Sequence, residues 1–220
     1  MSQSPRKLPT RIKRRTDLER AVAHLVDADA DLSRALALAG PVSYNMRPAG
    51  FPSLLKIVVE QQLSTASARA IWGRLAERIA PLHPETVLQA SDRTLREVGL
   101  SAPKIRYCRA LSRSVVEGHL DLQRLARLPD ASAMAALQEV TGIGRWTAEI
   151  YLLFCLGRPD VWPAGDVAVQ SALQTAADLP MRPDAQAMDH YADRCRPLRG
   201  VAALILWTLY RHLKGRPAWT

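Results

Sequence analysis

The chain has 220 residues, 48% of them hydrophobic, so it can bury a full core and does not have the composition of a disordered protein. Its 30 lysine and arginine residues outnumber its 21 aspartate and glutamate residues, which gives a formal net charge of +9 and a pI near 10.0. This charge favours an anionic partner, most often a nucleic acid, although charge alone does not make such a partner specific.

The cysteines and the apolar stretches exclude several classes of protein. Cys108, Cys155 and Cys195 are odd in number, widely spaced and without a CxxC pair. They indicate a reducing compartment and argue against structural zinc and against an iron–sulfur cluster. The basic N-terminus has no apolar stretch after it, and the most apolar later stretch, 201–210, is too short to span a bilayer. We therefore expect a cytoplasmic protein with no membrane partner.

The first part of the chain predicts a tail followed by helices. Residues 1–16 are polar, proline-containing and basic, and predict a flexible tail that adds phosphate contacts; a plain disordered terminus is the alternative. From Asp17 onward the apolar spacing is helical almost throughout, and no stretch shows sustained β alternation. The prediction is an all-α fold of about ten or eleven helices.

The middle of the chain predicts short helices separated by proline and glycine. After a loop rich in these residues, Leu54 to Val59 predict a short buried helix that ends at Gln61 and Gln62. Ser64 is a suitable N-cap for the next helix, which Pro81 stops. Further helices are predicted near 85–90, 92–98 and 105–115.

A glycine-containing turn, Thr141-Gly142-Ile143-Gly144, separates two further predicted helices. Glycine accepts a positive φ and lets another backbone approach closely, while Ile143 is expected to fill the core beneath the turn. The N–H groups that begin the second helix, near Arg145, favour an anion, and a phosphodiester suits them whatever its base. The alternative is that the two glycines only cap one helix and begin another.

The loop from Arg158 to Gly165 leads to Asp166, where another helix is predicted to begin. An aspartate at this point is a good N-cap, and the residues alone favour that purely structural role.

Taken together, these motifs resemble the HhH-GPD superfamily of base-excision DNA glycosylases, and most of all its 3-methyladenine DNA glycosylase II (alkylbase) branch. The resemblance implies a two-lobed all-α fold with the active-site cleft between the lobes and no N-terminal β domain. It implies one lobe at 51–160, with the helix-hairpin-helix, and a second at 17–50 plus 161–220. The motifs that carry it are VVEQQLSTASA (58–68), VGLSAPKIRY (98–107), LPDASAMAALQEVTGIGRWTAEI (128–150), GDVAVQ (165–170) and RPLRGVAALILW (196–207).

The resemblance assigns Asp166 as the catalytic carboxylate, which stabilises positive charge on deoxyribose or activates water against it. Purines alkylated at N3 or N7 are already cationic, so they leave without a general acid. Bifunctional members carry a lysine in the form GxGxKTA, whereas this chain reads GIGRWTA, with Trp146 in the lysine's place. The expected activity is monofunctional excision of alkylated bases, leaving an abasic site. The alternatives are a non-catalytic DNA-binding module and a bifunctional glycosylase/AP lyase.

The family's base pocket corresponds to three residues of this chain. Trp146 matches an aromatic pocket residue that stacks on an electron-poor base, and a core tryptophan is the alternative. Ile150 and Leu198 stand where aromatic residues are usual in the family. We therefore predict a wider, more aliphatic pocket that accepts a broad range of alkylated bases.

The resemblance also implies contacts to double-stranded DNA that contains an alkylated base. The predicted DNA-binding residues are Gly142, Gly144, Arg145 and Thr147, together with Gln62 or Leu63 as a wedge in the base stack; an ordinary interhelical turn is the alternative for the wedge.

The remaining implications concern ions, assembly and location. The backbone carbonyls of Gln138, Val140 and Ile143 match positions that hold a monovalent cation, Na⁺ or K⁺, in relatives. No cofactor is expected for the chemistry, and no iron–sulfur cluster. The expected protein is a monomer that acts on the bacterial nucleoid.

Overall fold

The structure, a computed structural model, describes residues 8–215. Within this range the chain forms thirteen α-helices and one 3₁₀ helix at Asp193–Cys195, and no strand. The all-α prediction is therefore confirmed for these residues, whereas the predicted number of helices was too low. The α-helices are α1 Arg15–Ala28, α2 Ala30–Ala39, α3 Phe51–Glu60, α4 Thr65–Arg78, α5 Pro84–Gln89, α6 Asp92–Glu97, α7 Ala102–Val116, α8 Leu122–Leu125, α9 Asp130–Gln138, α10 Arg145–Phe154, α11 Val167–Ala176, α12 Ala185–Ala192 and α13 Arg199–Leu213.

The chain divides into two compact units. Among the described residues, the discontinuous unit contains 8–46 and 152–215, and the continuous unit is Arg47–Tyr151. Helix α10 begins in the continuous unit and ends in the discontinuous one. The resemblance implied lobe boundaries at 50/51 and 160/161, whereas the two units meet in the sequence at 46/47 and 151/152. The division into lobes stays a prediction. None of the helices in 8–215 has the length and apolar character needed to cross a bilayer.

Helix α13 forms the centre of the discontinuous unit. It packs against α1, α2 and α11, and it is apolar on nearly all sides, which is typical of a helix surrounded by others. Its buried residues are Gly200, Val201, Ala202, Ala203, Leu204, Ile205, Leu206, Trp207 and Leu209. This burial makes α13 a rigid support for the loop that precedes α11.

The predicted flexible tail is wrong for its described part. Ile12 is fully buried, and its N–H donates to the Gly157 carbonyl over 2.8 Å. Gly157 has φ +63°, and a Cβ there would lie 2.4 Å from the Ile12 carbonyl oxygen, so the two backbones touch. Helix α1 then begins at Arg15. Ile12 stands among arginines and lysines in the sequence, so no apolar pattern marked it as a core residue. Residues 1–7 lie outside the described range.

The continuous unit is built around α3 and α7. The apolar residues of α3 are buried, as the sequence predicted, and the helix packs against α4 and α7. The hydroxyl of Ser64 accepts from the Ser67 N–H over 3.2 Å, which confirms Ser64 as the N-cap of α4. Helix α3 therefore ends, and α4 begins, on either side of the short turn at residues 61–64.

Candidate active site

Asp166 caps the N-terminus of α11. Its Oδ1 accepts from the backbone N–H groups of Ala168 at 2.9 Å and Val169 at 3.0 Å. The residue is half-buried, with extended backbone before the helix begins. The predicted cap is thus confirmed, and it places the carboxylate at the positive end of the helix dipole.

A third donor reaches the same oxygen from α13. The indole N–H of Trp207 donates to Asp166 Oδ1 over 3.1 Å, and Trp207 is only 6% exposed. Three donors from two helices therefore converge on Oδ1 and restrict the orientation of the carboxylate. The sequence motif ending at 207 includes this tryptophan, but sequence reasoning gave it no role, because the two residues are 41 positions apart.

Aromatic rings support Trp207 from the other side. The ring of Phe154 lies 5.7 Å from that of Trp207, and the ring of Tyr44 lies 5.6 Å from that of Phe154. The Tyr44 hydroxyl donates to the Leu153 carbonyl over 2.6 Å. Burial raises the pKa of Tyr44, with a smaller contribution from nearby Cys155, so the hydroxyl stays protonated and remains a donor. This row of rings fixes the indole that holds Asp166.

The first half of the loop before Asp166 is anchored to the start of α13. Arg199 donates from Nε to Asp160 Oδ1 and from Nη2 to Oδ2, each over 3.0 Å, and its backbone N–H donates to Oδ1 over 3.2 Å. The Gly200 N–H donates to the Pro159 carbonyl over 2.7 Å, and a Cβ on Gly200 would lie 2.9 Å from the Val161 oxygen. Sequence analysis assigned Asp160 no catalytic role, and the structure makes it one half of a bidentate ion pair with Arg199.

The second half of the loop is held from α11 and α12. The buried Gln170 side chain donates to the Ala164 carbonyl over 2.8 Å, and the Trp162 indole donates to the Met188 carbonyl over 3.1 Å. The loop that delivers Asp166 is therefore fixed along its length by buried hydrogen bonds. Such a loop presents its last residue in one position, as a preorganised catalytic group requires.

The turn Thr141-Gly142-Ile143-Gly144, called the hairpin below, lies between α9 and α10 as predicted. Its two glycines differ in backbone conformation and surroundings. Gly142 has φ +94°, and a Cβ on it would lie 2.3 Å from the Tyr107 ring, so both conformation and space demand glycine. Gly144 does not have a positive φ, and a Cβ on it would meet nothing within 4 Å. Ile143 is buried beneath the turn, as predicted. The backbone at Gly144 is thus open to approach from outside.

The other two predicted DNA-binding residues near the hairpin differ in exposure: Arg145 is exposed and Thr147 is buried. Arg145 lies at the exposed start of α10, and its Nε donates to Oε1 of the buried Glu149 over 2.8 Å. Thr147 is 3% exposed, and its hydroxyl accepts from the Gln61 amide over 2.7 Å. The Thr147 hydroxyl therefore makes its contact within the protein, and a DNA contact of Thr147 stays a prediction.

The predicted wedge lies in the turn between α3 and α4. Gln62 is exposed and has φ +56°, a left-handed conformation that is uncommon for glutamine, and Leu63 is partly exposed. Gln61 turns inward, and its amide donates to the Gly142 carbonyl over 2.9 Å as well as to Thr147. Of the two glutamines, only Gln62 presents its side chain to the outside.

The three predicted pocket residues differ in exposure. Trp146 is 38% exposed, so the alternative of a core tryptophan does not hold. Ile150 is 8% exposed and Leu198 is fully buried just before α13 begins. Leu198 thus lies in the core, and its role in the base pocket stays a prediction. The wider, more aliphatic pocket stays a prediction.

The carbonyls expected to hold a cation lie at the end of α9 and in the turn. Gln138 is the last residue of α9, and the Val140 carbonyl accepts from the Ile143 N–H over 2.9 Å. Carbonyl oxygens at a helix C-terminus carry partial negative charge and are hard ligands, so by donor type they fit Na⁺ or K⁺.

Comparison with known proteins identifies the family. The model of the HhH-GPD superfamily of base excision DNA repair proteins matches residues 55–197, and the chain belongs to this superfamily. Among its relatives is DNA-3-methyladenine glycosylase 1 of Schizosaccharomyces pombe, which is 29% identical over 87% of this chain and 87% of that protein. The resemblance to the 3-methyladenine glycosylase branch is thereby confirmed.

Solved structures agree with this assignment. The S. pombe 3-methyladenine DNA glycosylase in complex with abasic DNA superposes with a TM-score of 0.79 at 28% identity, over 86% of this chain and 95% of that one. A DNA-3-methyladenine glycosidase from Bacillus halodurans gives 0.77 at 32% identity, over 90% and 91%. An 8-oxoguanine glycosylase/lyase from Clostridium acetobutylicum gives 0.77 at 15% identity, which shows a shared fold only.

Proposed function

We propose that this chain is a monofunctional DNA glycosylase, which flips alkylated bases out of double-stranded DNA and hydrolyses their N-glycosidic bonds. The observation that carries the proposal is the carboxylate of Asp166, oriented by three donors to Oδ1 at the N-terminus of α11. The named relatives, 3-methyladenine glycosylases of similar length, support the substrate class.

The chemistry follows from a fixed negative charge. As the N-glycosidic bond breaks, positive charge develops on the deoxyribose, and Asp166 stabilises it or activates water for attack at C1′. A base alkylated at N3 or N7 of a purine is cationic and leaves as a neutral molecule, so no general acid is needed. Trp207 positions Asp166 and does not touch the sugar.

The DNA contacts are assigned to the continuous unit. The open backbone at Gly144 and the N–H groups that begin α10 suit a phosphate of the DNA strand, and Arg145 adds a charge next to them. Gln62, exposed in its left-handed turn, is proposed as the wedge that fills the space of the flipped base. Trp146 offers the exposed aromatic surface on which an electron-poor base stacks.

The enzyme is proposed to lack lyase activity because Trp146 stands where bifunctional members have a lysine. A lysine at the position of Trp146 would be needed to form a Schiff base with the sugar in the manner of the bifunctional members. Borohydride treatment of the enzyme with substrate DNA tests this point: no covalent protein–DNA adduct is expected, and a trapped adduct would instead establish the bifunctional alternative.

The substrate class is tested by product analysis. Methylated genomic DNA incubated with the protein is expected to release 3-methyladenine and 7-methylguanine, identified by mass, and oligonucleotides with ethenoadenine test the predicted breadth. If no modified base is released while abasic DNA is still bound, the chain is a binding module and the enzymatic proposal fails.

Three further features are proposed with the enzyme. The carbonyls of Gln138, Val140 and Ile143 bind Na⁺ or K⁺ and stabilise the hairpin. This predicts weaker DNA binding when both ions are replaced by tetramethylammonium at equal ionic strength, and equal binding would contradict it.

The enzyme acts as a monomer, which analytical sedimentation tests. It acts on DNA in the cytoplasm, at the nucleoid of a bacterial cell.

A further inference from the structure

The side chain of Lys104, on α7, caps the C-terminal end of α3. Its ammonium group donates to three backbone carbonyls, those of Val58 at 3.1 Å, Val59 at 2.7 Å and Gln61 at 2.8 Å. The last carbonyls of a helix have no N–H partner within the helix and carry the negative end of its dipole. A lysine has three N–H donors, so this one side chain holds the backbone immediately before Gln62.

Gln61 links the same turn to the hairpin. Its amide nitrogen donates to the Gly142 carbonyl over 2.9 Å and to the Thr147 hydroxyl over 2.7 Å. One acceptor belongs to the glycine turn and the other to the first turn of α10. Gln61 and Gln62 are adjacent, so the backbone of the exposed glutamine is tied directly to the hairpin.

Helix α7 completes the connection. Tyr107 lies one turn after Lys104 on this helix, and its ring contacts Gly142 so closely that a Cβ there would lie 2.3 Å away. Thus α7 contacts the wedge turn through Lys104 and the hairpin through Tyr107. These contacts join two exposed elements that lie about 80 residues apart in the sequence.

We propose that Gln61 and Lys104 are positioning residues for base flipping: they hold the turn that carries Gln62 at a fixed place relative to the hairpin, so that wedge insertion and phosphate binding act together on one duplex. This inference rests on the proposed function. Neither residue touches the reacting atoms in this scheme. If the turn were loose, the ordering of Gln62 would have to accompany every flipping event, which slows flipping.

The test compares one lesion in two settings under single-turnover conditions. In a fully paired duplex the base must be flipped, whereas in an unpaired bulge it is already unstacked. The variants are Gln61→Met and Lys104→Met, which keep an unbranched side chain of similar length and remove the donors. Arg106→Met is the matched control, since it removes an equal charge from an exposed position of α7.

The expected result is a loss confined to the paired substrate. Excision from the duplex should fall roughly tenfold in Gln61→Met and Lys104→Met, while excision from the bulge changes less than about twofold. Arg106→Met should affect both substrates equally, because it alters only the general attraction to DNA. Equal losses on duplex and bulge in the two test variants would overturn the proposal, as would unchanged duplex excision.

A second variant covers the case in which Lys104→Met does not fold. Thr147→Val has nearly the same shape and removes one acceptor of Gln61, so it should show the same duplex-specific loss, and wild-type rates would overturn the proposal. Fluorescence of 2-aminopurine beside the lesion reports flipping without excision. A wild-type protein that raises this fluorescence but releases no base would refute the proposed enzyme, and the positioning role would then be decided by whether the variants lose the signal.

Discussion

The indole N–H of Trp207, on α13, donates to Oδ1 of Asp166, at the start of α11, over 3.1 Å. The same helix holds the beginning of the Asp166 loop through Arg199 and Gly200. One buried helix thus fixes both ends of the segment that delivers the carboxylate, which gives the proposed catalytic group a fixed orientation.

Replacing Trp207 with phenylalanine should lower the excision rate more than it weakens binding. The substitution keeps an aromatic ring but removes the N–H that orients Asp166, so the single-turnover rate should fall roughly tenfold. Affinity for abasic DNA should stay near that of the wild type. Tyr191→Phe is the control, because it removes a half-buried aromatic hydrogen bond, to Asp29 Oδ1, in the same unit but outside the Asp166 loop. Equal rates for the two variants would show that Trp207 acts only through stability.

The Asp160–Arg199 ion pair should be needed for the position of the loop. Arg199→Met leaves the half-buried Asp160 without its bidentate partner and should reduce stability by roughly 1–3 kcal/mol. It should also increase amide hydrogen exchange in residues 159–166. The control is Arg196→Met, since this more exposed arginine reaches Asp160 only at 3.5 Å. Exchange in the loop that is the same in both variants would be evidence against the anchoring role.

The two hairpin glycines should separate folding from DNA binding. Gly142→Ala forces a Cβ into the Tyr107 ring at φ +94°, and should destabilise the protein by roughly 1–3 kcal/mol or more. Gly144→Ala has open space and should change stability by less than about 0.5 kcal/mol. Its methyl group nevertheless obstructs the proposed phosphate site, so abasic DNA should bind more weakly. Thermal unfolding and fluorescence anisotropy measure the two effects; unchanged binding by Gly144→Ala would remove the phosphate from this position.

Stability should decline in alkali because of a buried thiol. Burial raises the pKa of Cys108 from its ordinary value of 9.0 to about 12, and the nearby Lys104 ammonium offsets this only in part. Between these values the unfolded chain releases the thiol proton while the folded protein retains it. The free energy of unfolding should therefore fall with rising pH by up to about 1.4 kcal/mol per unit from this group. Urea unfolding from pH 8 upward measures the slope, which should be shallower in Cys108→Ala; identical slopes would contradict the assignment.

Local sequence patterns predicted the elements whose causes are local. The cap at Asp166, the cap at Ser64 and the burial of Ile143 each depend on residues within a few positions, so spacing and residue type were sufficient. The family resemblance then supplied the functional meaning of Asp166. Neither source required knowledge of which distant residues meet.

Contacts between distant residues could not be predicted in this way. Trp207 meets Asp166 across 41 positions, and Gln61 meets Gly142 across 81, so no helical periodicity reports either pair. The resemblance placed Thr147 among the DNA-binding residues, but no sequence pattern indicated that its hydroxyl is buried and accepts from the Gln61 amide. Ile12 was overlooked because one apolar residue among charged neighbours forms no pattern.

Asp166→Asn tests whether the Asp166 carboxylate performs the chemistry. Asp184→Asn is the matched control, since Asp184 also caps a helix of the discontinuous unit through its side chain. We predict that Asp166→Asn excises 3-methyladenine from duplex DNA at least about 100-fold more slowly while binding abasic DNA as the wild type does, and that Asp184→Asn remains active. Excision by Asp166→Asn at the rate of Asp184→Asn would refute a catalytic role for the Asp166 carboxylate.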